Sequence, residues 1–227
     1  MRSISERRLC LAVRLTAFTV ALVIALLVAW PRPVHAADVP IDGLAAVNSS
    51  PTVKGNTTFF TATVSAGTSI SYTWDFGDNS SGNDMTAGHT YTASGVYTAT
   101  VTATNDGGMV EAKTVVYIGD ALVDVGPGGQ FIFSPRDVTI PPGGTVVWTL
   151  RSGFHSVTAD IGDFEQPLGS DWLHYAHTFP DDAVAATVQY HCIAHGAAGG
   201  SGMAGSVIIS APPSNTHALR MPFLYRQ

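Results

Sequence analysis

Residues 190–205 read YHCIAHGAAGGSGMAG. The run begins as a strand-like alternation and then contains four glycines at 196–202, which allow the chain to turn back. This pattern predicts a hairpin. Apart from His191, the run carries three side chains with metal-binding atoms: the thiol of Cys192, the imidazole of His195 and the thioether of Met203. A fourth donor, His155, follows an earlier strand-like run. The last hairpin and one earlier loop therefore supply sulfur and nitrogen donors of the kind that hold a metal.

This set of donors favours copper over zinc. Two imidazoles and a thiolate in a trigonal set, with a weak axial thioether, suit copper that cycles between Cu(I) and Cu(II). A structural zinc site would use further Cys or His ligands in close tetrahedral spacing. The only other cysteine, Cys10, lies in the first 36 residues, far from this pattern.

The same residues resemble the plastocyanin-like cupredoxins. The resemblance covers about residues 121–210 and includes FSP at 133–135, VTI at 138–140, GG at 143–144 and VW at 147–148. It implies one type 1 copper per chain, with His155 and His195 as imidazole ligands, Cys192 as the thiolate and Met203 as the axial ligand. Two features differ from the family pattern. Seven residues separate His195 from Met203, which is longer than in short-loop plastocyanins, and Ser156 stands where many relatives have Asn. The hydrogen bond between the ligand loops is therefore expected to differ.

Other kinds of copper site, and a catalytic cysteine, fit the sequence less well. His191 should point to the opposite side of its strand from Cys192, so it is not expected to join the same metal. Multicopper oxidases would need a histidine where Ile193 stands, and a copper nitrite reductase would need further histidines, whereas position 160 is Asp. No group that would orient Cys192 as a nucleophile is evident. The sequence predicts that the protein is not an enzyme.

The first half carries a different signature. YTWDFGD at 72–78 is followed by HTY at 89–91 and by GVYTATVTA at 95–103, in which apolar residues alternate with Thr. Such alternation predicts half-buried strands. These residues resemble the PKD family over roughly 39–118, with Asn79 in place of the usual Gly. The resemblance implies an Ig-like spacer or interaction module that contacts a cell-surface protein or a polysaccharide.

Two aspartates on the tight turn of the first half are candidates for a functional site. Asp75 and Asp78 could form a calcium pair or an acid–base pair, but their position favours turn hydrogen bonding. His89 is likewise expected to be structural. Elsewhere, His174 and His177 lie three apart on a predicted strand, so they should face opposite sides and are expected at the surface.

The chain as a whole is predicted to be all-β. It has only two Lys and three Glu, so it lacks the residues that cover exposed helix faces, and turn clusters recur at roughly 8–12-residue intervals, as in β-sandwiches. We expect two consecutive sandwiches, an Ig-like PKD domain at 37–119 and a cupredoxin Greek-key domain at 120–210, after a signal segment at 1–36 and before a short tail at 211–227. The predicted strands are 57–64, 69–76, 95–104, 110–118, 130–133, 138–140, 145–150, 175–179, 187–192 and 205–209.

The first segment predicts export. Four arginines precede an uncharged stretch at 15–30, and VHAA at 34–37 suits cleavage after Ala36. The alternative is an uncleaved anchor that would tie the protein to a membrane. Cleavage would leave Cys192 as the single cysteine. We expect a periplasmic, extracellular or cell-surface location.

The excess of acidic residues limits the kinds of partner that the protein is expected to bind. Beyond residue 36 the chain has 6 basic and 16 acidic residues, which argues against nucleic acid and against an anionic membrane surface. Between Arg151 and Arg220 there is no Lys or Arg but there are six acidic residues. This acidity serves either solubility or steering toward a basic redox partner.

The predicted function is one-electron transfer by an exported blue copper protein. The resemblance implies that the edge of His195, flanked by apolar residues, is the electron port. Two alternatives stay open: a non-redox copper carrier, and a cell-surface interaction protein that uses the PKD domain.

Overall fold

The computed structural model describes residues 38–211. The predicted signal segment, with Cys10, and the predicted tail beyond Ala211 lie outside the described residues. Within 38–211 the regular structure is β-strand apart from one 3-10 turn, Pro127–Gly129. The all-β prediction is therefore confirmed. Among the described residues, no helical segment has the length and hydrophobicity that a membrane-spanning helix requires.

The first sandwich packs a three-stranded sheet, in the order β1-β3-β6, with a five-stranded sheet, in the order β2-β8-β7-β4-β5. Its core centres on Trp74, Tyr91 and Phe60, all at most 1% exposed. The Trp74 indole N–H donates to the carbonyl of Asp84 (3.1 Å). The strands are β1 (Ala45–Asn48), β2 (Thr52–Val53), β3 (Thr57–Thr63), β4 (Ser71–Asp75), β5 (Ser81–Asn83), β6 (Thr86–Thr90), β7 (Gly95–Asn105) and β8 (Gly108–Gly119).

The aspartates of the first sandwich form turn hydrogen bonds, as predicted. Asp75 accepts the backbone N–H of Gly77 (2.8 Å). Asp78 accepts from Ser80, and its other oxygen lies 2.7 Å from Nε2 of His89. Burial would raise the pKa of Asp78, but the hydrogen bonds from Ser80 and His89 outweigh it and lower that pKa. These polar side chains therefore serve the turn.

The second sandwich packs sheets in the orders β10-β9-β12-β15 and β11-β17-β16-β13-β14. Strands β9 and β12 pair in parallel, as do β11 and β17, so sheet neighbours are often distant in the chain. The core centres on Trp148, Tyr190 and Phe164. The strands are β9 (Ala121–Val125), β10 (Phe133–Ser134), β11 (Asp137–Ile140), β12 (Thr145–Leu150), β13 (His155–Ala159), β14 (Glu165–Gly169), β15 (His174–Thr178), β16 (Ala186–Ala197) and β17 (Ser201–Ile209).

Two local predictions were wrong. The predicted strand at 130–133 contributes only Phe133 to β10, because the chain first turns through Pro127–Gly129 and leaves Phe131 in a loop. His174 and His177 are half-buried rather than surface residues. His177 packs beside the ring of Phe164 (4.8 Å between centroids). Burial is the main cause that lowers the pKa of both histidines.

The two sandwiches meet within one compact unit. Lys54 of the first pairs with Asp120, which also accepts the backbone N–H of Thr145 (3.0 Å). The rings of Tyr117 and His174 lie 5.0 Å apart. A groove of about 430 Å³ opens beside this contact. Its walls are formed by Ala46, Val47, Asn48, Ser50, Thr114, Val115 and Tyr117 on one side and Trp172, Leu173 and His174 on the other.

Candidate metal centre

Three of the four predicted ligands converge at one end of the second sandwich. Nδ1 of His155 lies 3.1 Å from Nδ1 of His195. The Sγ atom of Cys192 lies 3.7 Å from the first nitrogen and 3.4 Å from the second. His155 begins β13, and the other two lie in β16. The donor atoms thus form a compact triangle that draws on two neighbouring strands.

An irregularity in β16 makes this convergence possible. Residues three apart on a regular strand face opposite sides of the sheet. The pairing of β16 with β17 breaks between His191 and Gly196, so Cys192 and His195 can turn toward the same point. Beyond the break, Gly196 pairs with Gly202. The interruption of the ladder therefore belongs to the site.

The donor triangle fits a copper ion. Bond lengths of about 2.0–2.3 Å to imidazole nitrogen and thiolate sulfur place neighbouring ligand atoms roughly 3–4 Å apart. Cys192 is fully buried and His155 is 1% exposed. Burial and the nearby charge of His195 lower the pKa of His155, which favours the neutral imidazole that a metal requires. One thiol and two imidazoles, of which Cys192 and His155 are buried, are ligands suited to copper.

Met203, the predicted axial ligand, lies in β17 and is 1% exposed. It belongs to the same buried cluster as Cys192. Gly196 lies directly against its main chain, because a Cβ built on Gly196 would come within 2.3 Å of the Met203 carbonyl oxygen. A glycine is therefore required where the two arms of the hairpin approach each other. Ligation by Met203 stays a prediction.

Ser156 ties the two ligand segments together. Its backbone N–H donates to the Sγ atom of Cys192 (3.4 Å). Its hydroxyl oxygen accepts the backbone N–H of Ile193 (2.9 Å) and the hydroxyl of Thr158 (3.2 Å). Ser156 is fully buried. A serine thus links the two ligand segments.

Several residues that contact His155 were not predicted from the sequence. Gly126 and Gly153 have φ of 65° and 89°, and a Cβ on either would lie within 2.7 Å of Nε2 of His155. These two glycines let the backbone pack against the imidazole. On the other side, the Trp172 indole N–H donates to the His155 carbonyl (3.2 Å). The only sequence signal was that glycines precede the ligand.

An aromatic ring covers His195. Phe131 stacks on the imidazole, with centroids 4.1 Å apart and planes 10° from parallel. Phe131 is itself 59% exposed, whereas His195 is half-buried. Ile132, Phe154 and Ile193 are also exposed and stand next to Phe131 or a ligand in the sequence. Phe131 therefore gives the centre an apolar surface beside His195.

His191 lies outside the donor triangle. Its Nδ1 lies 2.7 Å from one carboxylate oxygen of Asp160, and the other oxygen accepts the backbone N–H of Gly199 (2.7 Å). Both side chains are 14% exposed. The prediction that His191 does not join Cys192 at the metal agrees with this placement. Both carboxylate oxygens of Asp160, one of the six acidic residues, therefore take part in hydrogen bonds within the protein.

The first sandwich matches a known family. Residues 43–118 match the family model described as PKD domain, which confirms the resemblance read from the sequence. No curated protein matches the chain.

Solved structures resemble each half of the chain. A purple cupredoxin from Nitrosopumilus maritimus is 24% identical over 40% of this chain and 100% of its own, with a TM-score of 0.32. A mutant of amicyanin in the oxidised state is 22% identical over 40% of this chain and 81% of its own, with a TM-score of 0.32. The PKD domain of the human VPS10 domain-containing receptor SorCS2 is 20% identical over 39% of this chain and 81% of its own, with a TM-score of 0.34.

Proposed function

We propose that this chain is an exported blue copper protein that transfers single electrons through one type 1 copper bound by His155, Cys192, His195 and Met203. One observation carries the proposal: two imidazole nitrogens and one thiol sulfur lie 3.1–3.7 Å from one another in a buried pocket. Bound copper would supply the change between Cu(I) and Cu(II). In this proposal the chain carries electrons and is not an enzyme.

The protein's part is to hold the ligands still. His155 starts a strand whose next two residues, Ser156 and Val157, are fully buried, and the Ser156 N–H donates to Cys192. Second-shell hydrogen bonds of this kind orient metal ligands and tune their properties. Because His155 pairs with Gly169 and Cys192 accepts the Ser156 N–H, these two ligands need not move when an electron arrives. Such rigidity supports electron transfer more than metal delivery.

The apolar side of the centre supports a docking role. Phe131 lies between His195 and solvent, so we propose that an electron reaches the imidazole across or beside the phenyl ring. Ile132, Phe154 and Ile193 would surround this entry point. Contact between apolar side chains and a partner removes no charged group from water.

The remaining parts of the proposal concern partners and location. We propose that the partner is a redox protein. The acidic residues between Arg151 and Arg220, other than Asp160, would steer a basic partner toward this domain. The PKD domain would contact a cell-surface protein or a polysaccharide. The leader would direct the protein to the periplasm, the exterior or the cell surface, and it would attach the protein to a membrane only if it stays uncleaved. Nucleic acid is not a proposed ligand.

Reversible redox cycling tests electron transfer against copper carriage. The copper-loaded protein should pass through repeated reduction and reoxidation without releasing metal to a chelator. Cys192→Ser should abolish this behaviour, while His191→Ala, a neighbour outside the donor triangle, should retain it. Release of the metal at each reduction would favour the carrier instead.

Met203 requires its own test. The axial ligand of such a site tunes the potential more than it holds the metal. Met203→Gln should therefore keep copper and colour but lower the reduction potential, whereas His155→Ala or His195→Ala should lose the native spectrum. An unchanged spectrum and potential in Met203→Gln would show that Met203 is not a ligand.

A further inference from the structure

One peptide group next to the metal centre is hydrogen-bonded at both ends. Its oxygen, the carbonyl of His155, accepts the indole N–H of Trp172 (3.2 Å). Its nitrogen, that of Ser156, donates to the Sγ atom of Cys192 (3.4 Å). Because the carbonyl and the N–H belong to the same amide, the two bonds form a continuous chain. That chain runs from an indole to the sulfur of the metal-binding cysteine.

Hydrogen bonds arranged in this way strengthen one another. Donation to an amide oxygen polarises the amide, which makes its N–H a stronger donor. A stronger donor to a thiolate favours the state in which the sulfur carries more negative charge. At a copper–thiolate centre that state is the reduced one, and hydrogen bonding around the cysteine sulfur is a recognised control of its potential.

We propose that Trp172 is a positioning residue that raises the reduction potential of the metal centre by acting through the His155–Ser156 peptide on the sulfur of Cys192. The proposal rests on the function proposed above. Trp172 contacts the ligand loop with its N–H while its ring packs against the second core. The indole N–H is a donor only, so the direction of the bond to the carbonyl is fixed.

The position of Trp172 links this effect to the first sandwich. Trp172 forms one wall of the groove whose opposite wall includes Thr114, Val115 and Tyr117. Gly169, which pairs with His155, lies beside the indole, since a Cβ built on it would be in ordinary contact with the ring at 3.5 Å. The sulfur is therefore connected by two hydrogen bonds to a side chain that stands at the junction of the sandwiches.

The first experiment measures the reduction potential of Trp172→Phe by redox titration of the copper-loaded protein. Phenylalanine keeps an aromatic ring but removes the donor. A cooperative loss of roughly 10–30% of one hydrogen bond to a charged sulfur lowers the equilibrium constant for reduction by a factor of about 1.3 to 5. The sulfur-to-copper absorption band should also move to lower energy. Leu173→Ala is the matched control, because Leu173 lines the same groove and its side chain is 63% exposed.

A second measurement works without metal. In the metal-free protein, the amide proton signal of Ser156 should move upfield in Trp172→Phe and stay in place in Leu173→Ala. In the wild type, binding of diamagnetic Cu(I) should shift the indole N–H signal of Trp172. The indole of Trp74, which donates to a backbone carbonyl in the first sandwich, should not respond.

These readings separate the two proposals. If the wild type binds no copper, the proposed function fails, and the Ser156 signal still decides whether the relay exists. If copper binds but Trp172→Phe has the potential and the Ser156 shift of the wild type, the relay is overturned and the proposed function stands. If Leu173→Ala produces the same changes as Trp172→Phe, disturbance of the groove explains them and the relay is likewise overturned. Should Trp172→Phe fail to fold, an unmoved Trp172 signal in the Cu(I)-loaded wild type overturns it.

Discussion

The hydroxyl of Ser156 offers the sharpest test of how the ligand segments are held together. Ser156→Ala removes one oxygen that accepts hydrogen bonds from the Ile193 N–H and the Thr158 hydroxyl. The substitution leaves almost no cavity, so the cost is that of the two bonds. At about 0.5–1.5 kcal/mol each, their loss should lower the free energy of unfolding by about 1–3 kcal/mol. Ile193 is half exposed, so water replaces part of its lost bond and the expected value lies below the upper end.

Urea unfolding of the metal-free protein measures this cost. The transition should be followed by amide signals of the second sandwich, because the two sandwiches need not unfold together. With an m-value of about 1–1.5 kcal/mol/M for a sandwich of this size, the midpoint should fall by roughly 1–2 M. Ser206→Ala is the control, since its hydroxyl bonds Asp137 at the surface (2.6 Å) and its loss should cost under about 0.5 kcal/mol. Equal losses in the two variants would refute a specific tie at Ser156.

Three further predictions concern other parts of the structure. Phe131→Ala removes the stack on His195, so the free energy of unfolding should fall by about 0.5–1 kcal/mol and a chelator should strip copper faster; an unchanged stripping rate would contradict a covering role. Gly196→Ala forces apart the arms of the ligand hairpin and should cost about 1–3 kcal/mol, measured by urea unfolding; a neutral effect would contradict the close approach. Burial opposes the low pKa of Asp120, but hydrogen bonds led by the one from Lys54 lower it, so its contribution to stability is present above about pH 4 and is lost as pH falls through the folded value. Lys54→Met should flatten the pH dependence of unfolding below pH 4, and an unaltered profile would count against the pair.

The sequence was informative where chemistry and periodicity act locally. The alternation at 95–103 predicted a half-buried strand, and the structure places it in β7. The donor types at His155, Cys192 and His195 predicted a shared site, and their ligand atoms meet. Alternation also predicted that His191 points away from Cys192. In each case a few residues determine the outcome.

The sequence did not predict the contacts between segments that are distant in the chain. The stack of Phe131 on His195 depends on the turn at Pro127–Gly129, which carries the ring out of the predicted strand. The bond from Trp172 to the His155 carbonyl joins residues 17 positions apart through a side chain, and no periodicity encodes it. The break in β16 was also not predicted, because the strand pattern alone gives no reason for a fault before Gly196. Loop geometry and tertiary packing decide these features.

The visible spectrum of the Cu(II)-loaded protein tests the central claim most directly. A single thiolate bound to copper beside two imidazoles should give an intense colour from sulfur-to-copper charge transfer, at one copper per chain. Cys192→Ser should abolish the colour while the sandwich stays folded. A pale Cu(II) protein whose Cys192 thiol still reacts freely would contradict the assignment of a type 1 copper centre.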